Sequence, residues 1–145
     1  IAKQGYEIAC HSSSHQLAYN QTPAEFRADL LKAKDQISSA TGLEVTTYRV
    51  PGFSITNDNL WAFDILSEEG FNVDCSIFPA ARAHGGLPQF KSDKPCLIKT
   101  SSSLLREFPL NTKNILGNSV VFSGGGYFRL FPICSERLHQ LIYSL

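Results

Sequence analysis

Residues 5–50, GYEIACHSSSHQLAYNQTPAEFRADLLKAKDQISSATGLEVTTYRV, decide the fold class of this chain. Residues 5–10 are a short apolar run behind a glycine, the pattern of a buried strand. A helix start follows, with Thr22 as cap, Pro23 in the first turn and Glu25 completing a capping box. Phe26, Leu30, Ala33 and Ile37 then recur at helical spacing, so one stripe of that helix is buried, and Gly42 closes it. Residues 45–50, β-branched and aromatic, read as a second strand that Pro51 stops. Strand, helix, strand is the unit from which parallel sheets are built.

The alternation continues outward. A second helix is predicted over residues 58–69, with Asn57 as its cap and Gly70 as terminator, and residues 71–77 are again strand-like. Residues 79–103, rich in Pro, Gly, Ser and Lys and without a period, read as a long surface loop. Residues 104–109 and 119–123 read as short strands. Gly124, Gly125 and Gly126 form a turn before an aromatic segment at 127–131, because the triplet lacks the Gly-Lys-Ser/Thr ending of a phosphate loop. A last helix starts at Pro132 or Ser135 and runs to Leu145. The fold class expected is α/β.

The length of 145 residues suits one domain, and 43% hydrophobic against 18% charged residues excludes a disordered chain. Thirteen basic and thirteen acidic residues cancel, which argues against an electrostatic nucleic-acid or membrane footprint. No apolar run approaches the roughly 18 residues of a membrane span. The chain has no methionine and opens at Ile1 inside a strand-like element, so it reads as an internal piece of a longer protein. Cys10, Cys75, Cys96 and Cys134 lack the paired C-x-x-C spacing of zinc ribbons. With no basic-then-apolar leader to indicate an oxidising compartment, they are expected as free thiols in a cytoplasmic protein.

Three candidate clusters fall at three successive strand ends, where sites assemble in parallel α/β folds. His11 and His15, in HSSSH, stand four apart, so a helical turn would bring both imidazoles to one side as zinc-type ligands. Ser12 occupies the place where a metalloprotease helix carries Glu, which disfavours a zinc protease. From spacing alone, two surface histidines in a serine-rich loop remain an equal alternative. In YRVPGF, Arg49 can grip a carboxylate, and the turn at Pro51 and Gly52 can turn a backbone N–H toward an oxyanion. Read alone, this is an ordinary strand-ending turn. Asp74, with Phe78, can orient Arg49 or bind substrate, against the plainer reading of a loop cap.

Together these motifs resemble the polysaccharide deacetylases, carbohydrate esterase family 4. GYEIACHSSSH is similar to that family's H-[ST]-x-x-H metal motif, YRVPGF to its R-x-P-[YF] motif and DCSIF to its D-x-x-x-aromatic motif, in the same order. The stretch YRVPGFSITNDNLWAFDILSEEGFNVDCSIFP and the later GGGYFRLFP resemble the bacterial exopolysaccharide-locus branch in particular. The resemblance implies a partial, distorted (β/α) barrel, with residues 1–145 as the central part of a single catalytic domain. It implies a divalent metal, Zn²⁺, held in part by His11 and His15. Arg49 would hold the catalytic aspartate, Asp74 would support Arg49, and the Gly52 N–H would face the oxyanion beside Pro51. Phe53 and Phe78 would line the sugar groove.

The implied activity is metal-dependent removal of N-acetyl groups from a hexosamine-containing polysaccharide, with that polymer as partner. Three departures stand out. The family's upstream Asp-Asp motif, supplying base and third ligand, has no counterpart. The downstream Leu-His motif has none either, since His139 sits in another context. Gly52 replaces the usual aromatic, moving it to Phe53. A carbohydrate-binding or structural remnant without catalysis, or another barrel metallohydrolase, stays open at this level.

Overall fold

A computed structural model of the chain describes residues 1–81, 84–115 and 118–121. The first helix, α1 (Pro23–Thr41), forms as its sequence dictates. Thr22 accepts from the Glu25 N–H and Glu25 accepts from the Thr22 N–H (2.8 Å), closing the capping box. Gly42 ends the helix with its N–H on the Ser38 carbonyl. The predicted stripe turns inward, with Phe26, Leu30 and Ala33 buried and Ile37 packed against them.

The second helix, α2 (Trp61–Glu68), starts later than its periodicity predicts. A 3-10 turn at Asn57–Asn59 precedes it, and the cap is Thr56 rather than Asn57. Asn59 folds back onto the Thr56 N–H (2.6 Å) while the Thr56 hydroxyl accepts from Asp58, so the side-chain box forms around a tighter turn.

Strands β1 (Thr47–Tyr48) and β2 (Val73–Asp74) are short cores of the predicted runs, and β4 (Leu104–Glu107) matches the run at 104–109. They pair in parallel, β1 with β2 and β2 with β4, as the alternation with helices requires. The run at 5–10 reaches the ladder only at Cys10, which bridges Tyr48 through bonds from the Cys10 N–H to Thr47 and from the Arg49 N–H to Cys10. The predicted loop at 79–103 contains a further strand, β3 (Cys96–Lys99), antiparallel to β4. Residue 97 is 61% exposed on this sheet edge, so β3 buries little and carries no apolar period to reveal it.

The sheet order is β1-β2-β4-β3, and among the described residues it stays open rather than closing into a barrel. Strands β5 (Thr112–Ile115) and β6 (Asn118–Val121) form a separate antiparallel pair. The sequence reading anticipates β6 but not β5. The glycine turn at 124–126, the aromatic segment, the last helix, Cys134 and His139 lie outside the described residues.

The core lies between the helices and one face of the sheet. Tyr48 is its centre, with Phe26 and Phe71 meeting its ring edge-on at 5.9 and 5.8 Å and Trp61 completing the cluster on Phe26. Tyr48, Asp74 and Glu107 occupy one row across β1, β2 and β4, so two carboxyl groups enter the buried face beside this aromatic cluster.

Candidate active site

The loop after Cys10 carries both predicted metal ligands. It is not helical: Ser12 and His15 take left-handed conformations, φ +71° and +58°. Each costs about 1–3 kcal/mol for a residue with a side chain, so the surroundings must hold them. They do so through Asp29 on α1. Its carboxylate accepts from the Ser12 hydroxyl (2.7 Å), the Ser13 N–H (3.0 Å) and the Ser14 N–H (2.8 Å). Burial works to raise this carboxyl, but the donors from Ser12, Ser13 and Ser14 outweigh it and hold it below the ordinary aspartate value. The Ser12 hydroxyl in turn accepts from the His15 N–H (2.9 Å).

The result is the convergence that the spacing predicts, reached by a different backbone. The His11 and His15 rings meet edge to face, centroids 5.1 Å apart at 74°. His11 Nδ1 lies 2.7 Å from the Arg49 carbonyl oxygen. A carbonyl only accepts, so Nδ1 donates, and in the neutral ring this leaves Nε2 as the ligating nitrogen, the arrangement that orients a metal-binding imidazole. Two imidazoles suit a zinc-type ion as two of its ligands. A catalytic zinc site takes three, and no group of three His, Cys, Asp or Glu side chains with metal-site geometry occurs among the described residues.

The turn after β1 sits beside this pair. Pro51 is buried, and Gly52 (φ +63°) and Phe53 (φ +51°) both take left-handed conformations. Glycine suits this turn by conformation, and a Cβ on Gly52 would stand 2.7 Å from the end of the Leu17 side chain, which would have to shift. Buried Ser54 ties the turn to the histidine loop, accepting from the Ala18 N–H (2.8 Å) and donating to the Pro51 carbonyl (2.6 Å). Phe53 and Phe78 are neighbours, ring centroids 5.6 Å apart, and the Arg49 guanidinium lies 5.8 Å from the Phe53 centroid. Arg49 and half-buried Phe53 therefore lie side by side, with buried Phe78 packed behind Phe53.

Arg49 also donates Nε to the Cys75 carbonyl (3.2 Å). Asp74 does not meet it through its carboxylate. It is fully buried, takes the Ser76 hydroxyl (2.5 Å) and N–H, and stands opposite Glu107 in the register of β2 and β4. Any support of Arg49 by Asp74 therefore runs through the backbone at Cys75. The Ser76 hydroxyl also accepts from the Val50 N–H (2.8 Å), directly before Pro51, so Asp74 braces the turn instead.

Glu107 Oε1 accepts from the Ile77 N–H (3.1 Å), and Oε2 has no donor opposite it. Two buried carboxyl groups in register repel one another when both are ionised, so the pair favours keeping a proton between them. Burial, then the neighbouring Asp74 charge, push Glu107 well above the usual carboxylate range, and burial does the same to Asp74.

An open cleft of about 390 Å³ runs along His11, Thr47, Arg49 and Cys75. A larger cavity, about 520 Å³, lies between α2 and β3 and touches none of the predicted site residues. Asp29, Ser76, Glu107 and the Gly85–Gly86 step, whose Gly86 N–H bonds the Phe53 carbonyl (2.9 Å), escape the sequence reading. Of these, Glu107 alone left a signal: strand alternation puts it on the same face as Leu105. Cys10, Cys75 and Cys96 are free thiols, as expected, and burial raises the pKa of each.

Residues 1–70 match the polysaccharide deacetylase family, and residues 75–142 match a domain of unknown function, DUF3473. The fold is similar to the crystal structure of a Mycobacterium smegmatis protein assigned as a polysaccharide deacetylase, with a TM-score of 0.64. Sequence identity is 20%, and the match covers 97% of this chain but 48% of that one. At that identity the likeness is one of fold, and the chain spans about half the neighbour's length. No curated protein matches the chain. Among the described residues, no helix is long and apolar enough to cross a membrane.

Proposed function

We propose that this chain, whose residues 1–70 match the polysaccharide deacetylase family, forms the central part of a metal-dependent hydrolase that removes N-acetyl groups from a hexosamine-containing polysaccharide. The exopolysaccharide setting is supported by the second half, which matches a domain associated with exopolysaccharide-locus deacetylases. The observation that carries the reading is the pair of imidazoles, 5.1 Å apart, facing the Arg49 and Pro51–Phe53 wall at the carboxyl end of the sheet. The open edge at Cys10 is where further strands of a (β/α) barrel would add.

In this reading His11 and His15 hold a divalent metal, Zn²⁺, whose Lewis acidity polarises the acetyl carbonyl when it is bound. The chain's own residues do the rest of the positioning. The Arg49 carbonyl fixes the His11 tautomer and so aims Nε2. The Gly52 turn presents backbone to the oxyanion that develops as water attacks the amide carbon, a geometry worth several kcal/mol in such sites. Half-buried Phe53, backed by buried Phe78, offers an apolar face to a pyranose ring, and Arg49 lies beside it ready to grip the carboxylate of a catalytic aspartate. Asp74 and Ser76 act at one remove by bracing Val50. The base, the acid and the third metal ligand are assigned to residues outside positions 1–145.

The test is acetate release from chitooligosaccharides by the full-length protein, with its metal content measured alongside. Both should fall together in His11→Ala. Stoichiometric zinc in a His11→Ala, His15→Ala double variant would refute the ligand assignment. Saccharide binding without acetate release would make the protein a carbohydrate-binding remnant of the same fold.

A further inference from the structure

We infer that Asp29, a residue of α1 outside the histidine motif, is the positioning residue that holds His11 and His15 in their metal-binding arrangement. The inference rests on the reading of that pair as ligands. Ser12 and His15 are both left-handed, a backbone shape that points successive N–H groups into one concavity. Such concavities bind anions, and here the anion is the chain's own carboxylate. Asp29 Oδ2 accepts from the Ser12 hydroxyl and the Ser13 N–H, while Oδ1 accepts from the Ser14 N–H.

Among the described residues, the only other helix side chain bonded to the loop is Gln36, which accepts from the Ser13 hydroxyl at 3.3 Å and is neutral. The relay then continues from Asp29 through the Ser12 hydroxyl to the His15 N–H, so one carboxylate sets the backbone that aims the second imidazole. A neutral amide at position 29 has the right shape and the wrong chemistry. Its NH₂ group would face a donor on one side, leaving either the Ser14 N–H or the Ser12 and Ser13 donors unmatched.

Residues that orient metal ligands from behind typically change metal affinity 10–100-fold when lost. In the full-length protein, Asp29→Asn should therefore weaken Zn²⁺ binding about 10–100-fold in competition with a chromophoric chelator. It should also alter the visible d–d spectrum of the Co²⁺-loaded protein, which reports ligand geometry. Asp35→Asn removes an equal charge from the same helix away from the loop and should stay within about twofold. Hydrogen exchange at the Ser13 and Ser14 amides of the metal-free protein should speed up in Asp29→Asn alone.

Zinc affinity within twofold of the parent with an unchanged Co²⁺ spectrum would overturn the inference. If Asp29→Asn does not fold, Ser12→Ala decides, because it cuts the same relay: unchanged affinity overturns the inference and weakened affinity supports it. Metal binding that His11→Ala leaves untouched would overturn the ligand reading and this inference with it. Binding lost in His11→Ala but intact in Asp29→Asn overturns this inference alone.

Discussion

Glu107→Gln should stabilise the protein, and by more at pH 8 than at pH 5. Glu107 and Asp74 are both fully buried and in register across β2 and β4, so burial and mutual repulsion favour a proton on the pair. An exposed glutamate releases that proton near pH ~4.3. Burial, then the Asp74 charge, raises the folded-state pKa of Glu107 far above this. The folded chain thus keeps a proton that the unfolded chain has already released. That contribution to stability is fully present below about pH 4.3 and is lost as pH rises toward the folded-state value, at about 1.4 kcal/mol per pH unit. Between pH 5 and pH 8 the loss is about 4 kcal/mol. Glutamine preserves the geometry without the proton, its oxygen accepting from the Ile77 N–H and its NH₂ donating to Asp74. Urea unfolding of both proteins at pH 5, 6, 7 and 8 should show a stability gap that widens in favour of the variant by about 1.4 kcal/mol per unit. A gap constant to within about 0.5 kcal/mol would mean that Glu107 is ionised in the folded protein, and the shared proton would be wrong.

Two further substitutions probe the turn after β1. In Gly85→Ala a Cβ would stand 2.4 Å from the Phe53 carbonyl oxygen at a φ of +77°, so the loop must lift off the turn. Unfolding should show a loss of about 2 kcal/mol or more, with weaker saccharide binding from a displaced Phe53; an unchanged Tm would deny the close approach. Arg49→Lys in the full-length protein should lower kcat about 10–100-fold while stability stays within about 0.5 kcal/mol, because an ammonium cannot form the bidentate guanidinium fork. An unchanged rate in steady-state acetate release would make Arg49 a surface residue.

The sequence by itself determined what local chemistry controls. Thr22, Pro23 and Glu25 start α1 whatever it packs on, and Phe26, Leu30 and Ala33 choose its buried face. The same local patterns set the strand-helix alternation, and with it a parallel sheet whose strand ends gather His11, Arg49 and Asp74. Where local signal was thin, the reading slipped: the edge strand β3 hid inside a polar loop, and Thr56 displaced Asn57 as the cap. Only the tertiary structure decided how the gathered residues are held. Asp29 meets Ser12 across 17 residues, and Glu107 meets Ile77 across 30, bringing its carboxyl onto Asp74. Alternation in β4 puts Glu107 on the buried face of Leu105 but does not say what it meets, and Asp29 is indistinguishable in sequence from a carboxylate facing water. The role of each is set by which donors, far along the chain, the folded backbone brings within about 3 Å of it.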